Sequence, residues 1–124
     1  MNRYYALALK VAETSENHLQ RMGAVVVRGG SILSIAPNSP STKVGILTVS
    51  KHAEERAIHK HGSYEGATIY VARSGGRMSQ PCERCTALLV EKGFSYAVYA
   101  TWNGEVLRQR VADLIPFIEK RYAR

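Results

Sequence analysis

The sequence predicts an α/β fold, one mixed sheet of four to five strands with helices on both of its faces. Three observations lead there. Tyr4, Leu7, Ala8, Val11 and Ala12 recur at helical spacing and form one apolar face. Four short runs rich in β-branched and small apolar residues end at glycines or polar clusters, as strands do. Two helix-length segments, each stopped by a glycine, fall between those runs. The resulting order is α-β-β-α-β-α-β, followed by a turn and a last helix, which suits helices layered on a sheet.

The first helix is predicted over residues 4–17. Ala24-Val25-Val26-Val27 marks a strand over 22–27, ended by Gly29-Gly30. Leu33 and Ile35 flank Ser34 in a second strand over 32–35. The link between them is so short that the two strands should pair as an antiparallel hairpin. Residues 37–50 carry turn chemistry, Asn38-Ser39-Pro40-Ser41-Thr42, and form a loop long enough to suggest function. A helix over 52–61 ends at Gly62, and a third strand covers 67–72. A second polar loop, 73–80, precedes Pro81, which can open a helix running to Lys92 and Gly93. A fourth strand covers 95–100. Trp102-Asn103-Gly104-Glu105 reads as a turn, with Trp102 expected as a half-buried cap on the sheet edge. The last helix is expected over 107–122, disturbed at Pro116, with a short fifth strand near 105–107 as the alternative for its start.

The 124 residues suit one domain, 1–124, with no linker or repeat. No apolar run approaches the roughly 20 residues of a membrane span. Met1 to Tyr5 lack the apolar core of a signal peptide, so a cytoplasmic protein is expected. The net charge of +7 favours anionic partners such as a nucleotide or nucleic acid, or it simply solubilises the surface. The basic residues are spread from Arg3 to Arg124 rather than gathered in a nucleic-acid-binding tail.

Chemistry concentrates at two helix starts. His52-Ala53-Glu54 opens one, and Pro81-Cys82-Glu83-Arg84-Cys85 opens the other. One imidazole and two thiolates supply three zinc ligands and leave a fourth tetrahedral position for water. Helix-start N–H groups and the helix dipole favour thiolate over thiol. Glu54 stands two residues from His52, near enough to exchange protons with a water at the metal without binding the ion. Each element alone has other readings. His-x-Glu recurs by chance, and Cys-x-x-Cys also serves redox sites and structural zinc sites. His59 and His61 are the spare imidazoles for a closed site, and otherwise solvated helix-end residues. Losing one cysteine is expected to cost the zinc and the fold.

His-x-Glu followed by Pro-Cys-x-x-Cys is the signature of the zinc-dependent deaminases. The chain resembles the cytidine/deoxycytidylate deaminase superfamily from about Tyr4 to Leu107, most like its small viral or bacterial members. The resemblance implies a three-layer cytidine-deaminase-like fold. It also implies one zinc per protomer on His52, Cys82 and Cys85, with Glu54 as the catalytic proton shuttle. Ile35-Ala36-Pro37-Asn38-Ser39 is similar to the family's segment ending in a substrate-binding asparagine. That makes Asn38 a contact for the sugar or base edge, or else a turn residue. The backbone of Ala53 would contact the pyrimidine. Water activated at the metal would attack C4 of cytosine, with Glu54 protonating N3 and helping ammonia leave. Loop 73–80 lacks the acidic residue before Pro-Cys typical of tRNA adenosine deaminases, which turns the reading toward cytosine.

The expected partner is therefore a pyrimidine nucleoside or its monophosphate, with no membrane, and the resemblance implies a homo-oligomer. Lys43, Lys51, Arg73 and Arg77 flank the two loops as phosphate contacts or solvated charges. A cytosine deaminase acting on single-stranded DNA or RNA is the second reading, supported by the charge and by Trp102 as a stacking platform. A non-catalytic, zinc-stabilised nucleic-acid-binding module is the third, opposed by Glu54, which a structural site does not need.

Overall fold

The computed structural model describes residues 2–44, 47–49, 51–59 and 62–114. The elements are α1 (Arg3–Glu13), β1 (Met22–Arg28), β2 (Ser31–Pro37), β3 (Thr42–Val44), β4 (Leu47–Val49), α2 (Ala53–Ala57), β5 (Thr68–Arg73), α3 (Glu83–Glu91), β6 (Tyr96–Ala100) and β7 (Val106–Arg110). Single 3-10 turns follow β5 (Ser74–Gly76) and β7 (Val111–Leu114). The main sheet has the order β2-β1-β5-β6-β7. β5 and β6 are parallel, with α3 as their crossover, and the other neighbours are antiparallel. The fold is thus α/β, with a mixed five-stranded sheet.

Strand alternation divides the core into two layers. Val25, Val27, Tyr70, Ala72, Val98 and Ala100 point to one face and pack under Tyr5, Ala8 and Val11 of α1. Ala24, Val26, Ile69, Val71, Ala97 and Tyr99 point to the other and pack under Ala53 and Ala57 of α2 and Leu89 of α3. Helices therefore cover both faces. α2 and α3 share one face, so their starts can meet.

Asn2 caps α1, its Oδ1 accepting from the N–H groups of Tyr4 and Tyr5 at 2.8 and 3.3 Å. α1 stops at Glu13, short of the expected 17, because side chains beyond it compete for backbone N–H groups. Ser15 Oγ accepts from Asn17 N, and Asn17 Oδ1 accepts from Leu19 N and Gln20 N. The β1–β2 hairpin turns on Gly29 and Gly30, both at positive φ (58° and 77°), as a tight two-residue hairpin requires.

α1 crosses β1 at Gly23, where a Cβ would lie 2.4 Å from Ala8 O and 2.5 Å from Ala12 N. Both are helix backbone atoms, so the side chain would have to lift α1 off the sheet. Gly23→Ala should lower the unfolding free energy by about 1–3 kcal/mol or more, measured by urea unfolding. An unchanged midpoint would show that α1 is not seated as described.

Further sequence expectations are corrected. α2 ends at Ala57 rather than 61 because Ile58 turns extended, and Ile58 and Tyr64 are buried in the core. Tyr64 stacks on Phe94 at 5.3 Å, and its hydroxyl accepts the N–H of His59. The expected last helix begins instead as the full strand β7. Tyr99 donates to Gln109 across the sheet, and the Arg108 guanidinium lies 4.1 Å from the Tyr96 ring centroid. Val111–Leu114 form a single 3-10 turn, and the rest of that expected helix, with Pro116, lies outside the described residues. Trp102 is 87% exposed rather than half-buried. A small hairpin, β3 paired antiparallel with β4, also occupies part of what was read as loop 37–50.

Candidate active site

The starts of α2 and α3 bring the two motif halves together. His52 is the N-cap of α2 and Cys82 the N-cap of α3, so both stand just ahead of their helices rather than inside them. Cys85 is the third residue of α3 and is fully buried. Ser79, also buried, fixes the approach to Pro81. Its Oγ donates to Val71 O at 2.7 Å and accepts from Ala100 N at 2.9 Å, tying the loop to the ends of β5 and β6.

His52 Nδ1 lies 3.5 Å from Cys82 Sγ and 3.4 Å from Cys85 Sγ. The three ligand atoms all fall within 4.8 Å of one another. Tetrahedral zinc, with bonds of about 2.3 Å to sulfur and about 2.0 Å to nitrogen, sets those atoms about 3.5 Å apart. The donor set and spacing therefore fit a zinc ion. The hydrogen bond from Cys85 lowers the Cys82 thiol to about 5, helped by the Cys85 backbone N–H and by His52. The same bond, with burial and the Glu54 charge, pushes Cys85 up. Bound zinc would favour both sulfurs as thiolates. Among the described residues this is the one group of His, Cys, Asp and Glu side chains positioned for a metal ion. His59 is exposed, and His61 lies outside the described residues.

Glu54, the second residue of α2, is 3% exposed. Burial raises its carboxyl above the usual range, against the lowering effects of backbone hydrogen bonding, His52 and Cys85. A cavity of about 330 Å³ opens over it, lined by His52, Glu54, Cys82, Asn38, Gln20 and Gln80 among others. Both expected loops contribute, the first through Asn38 and Ser41 and the second through Gln80.

Asn38 is 5% exposed and largely committed to the fold. Its Oδ1 accepts from Ser15 Oγ at 2.6 Å and Met22 N at 2.9 Å, and its Nδ2 donates to Gln20 O at 2.7 Å. An amide has two acceptor sites and two N–H donors, so these bonds leave one N–H for the cavity. Ala53 is fully buried in the core between His52 and Glu54, and it does not line the cavity. Asn17, Gln20 and Met22, which sequence reasoning missed, also line the cavity. The Ser15-x-Asn17 pair just after a helix was the available signal, since such residues favour turns. Lys51, Arg73 and Arg77 do not line the cavity, and the side chain of Lys43 lies outside the described residues.

Comparison with known proteins agrees with the fold and with a zinc-binding cluster. The family model described as the cytidine and deoxycytidylate deaminase zinc-binding region matches residues 1–101. The dCMP deaminase of the cyanophage S-TIM5 in its apo form has a similar fold, with a TM-score of 0.62 and 24% identity over 80% of each chain. The same phage enzyme in complex with dCMP and dUMP gives 0.59 and 22%, over 77% of this chain and 76% of that one. No curated protein matches the chain. The family match covers most of the sequence and contains the whole His52, Cys82 and Cys85 cluster, so the chain belongs to the cytidine and deoxycytidylate deaminases, a zinc-binding family.

Proposed function

We propose that the protein hydrolyses the exocyclic C–N bond of a cytosine carried as a nucleoside or, preferentially, a mononucleotide. The observation that carries this reading is the buried Glu54 carboxyl, set beside the His52, Cys82 and Cys85 cluster at the wall of the cavity. His52, Cys82 and Cys85 hold the zinc, which when bound supplies a Lewis acid that makes water a nucleophile near neutral pH. In the overall reaction the water oxygen joins C4, the C4–N4 bond breaks, and the two water protons end on N3 and on departing ammonia. Glu54 carries those protons, and its raised pKa suits a group that must both take and give them. The free N–H of Asn38 would orient the sugar or base edge.

A second, open depression adjoins the cavity through Leu19 and Ser41 and carries His18 and Arg21, with Glu16 on its wall. Arg21 makes a long, exposed ion pair of 3.8 Å with Glu13, which leaves its guanidinium available to a substrate phosphate. The phage enzyme of similar fold is described with dCMP and dUMP bound, in keeping with a nucleotide. Deamination within single-stranded nucleic acid is the second reading, favoured by the 87% exposed Trp102. One zinc per protomer, a homo-oligomer and a cytoplasmic location belong to the same proposal. Among the described residues, no helix is long and apolar enough to cross a membrane.

A panel of dCMP, CMP, deoxycytidine, cytidine and a single-stranded oligonucleotide separates these readings by the uracil product formed. The monophosphates are expected to be the best substrates. Arg21→Ala should raise KM for dCMP about 10-fold, as loss of a charged hydrogen bond does, and leave deoxycytidine unchanged. Efficient turnover of the oligonucleotide alone would replace the mononucleotide reading with the second one.

A further inference from the structure

The two halves of the metal site come from separate short elements, and Glu55 and Arg84 join them. Glu55 is the third residue of α2, directly after Glu54. Its Oε1 accepts the backbone N–H of His52 at 3.1 Å and Nη2 of Arg84 at 2.9 Å. Arg84 sits between Cys82 and Cys85 on α3. One carboxylate oxygen thus touches the residue that bears the imidazole and the segment that bears both sulfurs.

We propose that Glu55 and Arg84 form a clasp that keeps the histidine half and the cysteine half of the metal site in register, and so sets how firmly zinc is held. They are positioning residues, acting through His52, Cys82 and Cys85. The α2 helix spans five residues, too few to hold its own first turn rigid. A carboxylate returning from the third helical position to the N-cap N–H stabilises that turn and aims the His52 backbone. The guanidinium then ties the same oxygen to α3. The Arg84 side chain is 63% exposed and that of Glu55 21%. A pair so open to water adds little to global stability, so its effect should appear at the metal rather than in the fold.

The inference rests on the metal assignment, and the test separates the two. Zinc-loaded wild type, Glu55→Gln, Glu55→Ala, Arg84→Ala and Arg84→Lys are mixed with a chromogenic chelator, and the rate of zinc release is followed. The unfolding midpoint of each metal-free protein and the visible spectrum of each cobalt-loaded protein are recorded alongside. Losing an outer partner of a ligand typically costs about 10–100-fold in metal affinity. Arg84→Ala and Glu55→Gln should release zinc faster by that order, Glu55→Ala at least as fast, and Arg84→Lys between Arg84→Ala and wild type. The cobalt bands should shift while the metal-free midpoints stay near wild type. Zinc-holding variants that release at the wild-type rate, or only as much faster as their metal-free midpoints fall, overturn the clasp alone. A wild type that binds neither zinc nor cobalt overturns the metal assignment and the clasp with it. The two Arg84 variants, at an exposed position, keep the test decisive even if a Glu55 variant fails to fold.

Discussion

Glu54→Gln should keep the zinc and the fold and lose deamination by about 10²–10⁴-fold or more, the range that general acid–base catalysis supplies. Glutamine preserves the shape of a side chain that is 3% exposed but cannot carry a proton. The neighbouring carboxylate offers no substitute, since Glu55 already accepts from His52 N and Arg84. The same variant carries a pH signature in the metal-free protein. Burial raises the Glu54 pKa, so the folded state binds this proton more tightly than the unfolded chain does. That contribution is present below the unfolded value of about 4.3 and is lost as pH rises through the higher folded value. Metal-free wild type should therefore lose stability relative to Glu54→Gln as pH climbs from acid toward neutral. Equal turnover by the two proteins at matched zinc content would remove Glu54 from the mechanism.

Cys82→Ala should abolish zinc retention while the protein stays folded. One of three ligands is lost, so affinity should fall by more than the roughly 10–100-fold cost of an outer partner. Cys82 is exposed, and neither apolar layer of the sheet includes it, so its removal leaves the core packed. For Cys82 the predicted outcome is therefore a folded protein without zinc, in place of the loss of fold expected from the sequence. Elemental analysis and circular dichroism on the same sample read both outcomes. Full zinc occupancy in the variant would contradict the ligand set.

The parts of this site that were legible in the sequence are those set by short covalent spacing. His52-x-Glu54 and Cys82-x-x-Cys85 stay close whatever the rest of the chain does, and each stands at a helix start that its flanking loop and Pro81 announce. The strands β1, β5 and β6 were legible because each is buried on both faces and reads as a continuous apolar run. β7 was legible only as a short fifth strand near 105–107, because Leu107, Val111 and Leu114 also fall at helical spacing. Its strand character comes from Tyr96 and Tyr99 on the neighbouring strand, which local pattern cannot show. The early end of α2 has the same origin, in the pull of Ile58 and Tyr64 toward the core. Asn38 was legible as a substrate contact or a turn residue, but its long-range side-chain hydrogen bonds were not. Its three hydrogen bonds reach Ser15, Gln20 and Met22, which only the packing of α1 against the sheet brings within range. The Glu55–Arg84 pair joins positions 29 residues apart and had no local signal.

The most direct test of the central claim is deamination by zinc-loaded wild type, with dCMP as the first substrate and the rest of the panel beside it. Uracil is followed by absorbance and ammonia by a coupled assay. The expected result is one ammonia per uracil formed, activity lost when zinc is stripped by a chelator, and activity regained when zinc alone is returned. A protein that holds one zinc per protomer and forms no uracil from any member of the panel would contradict it.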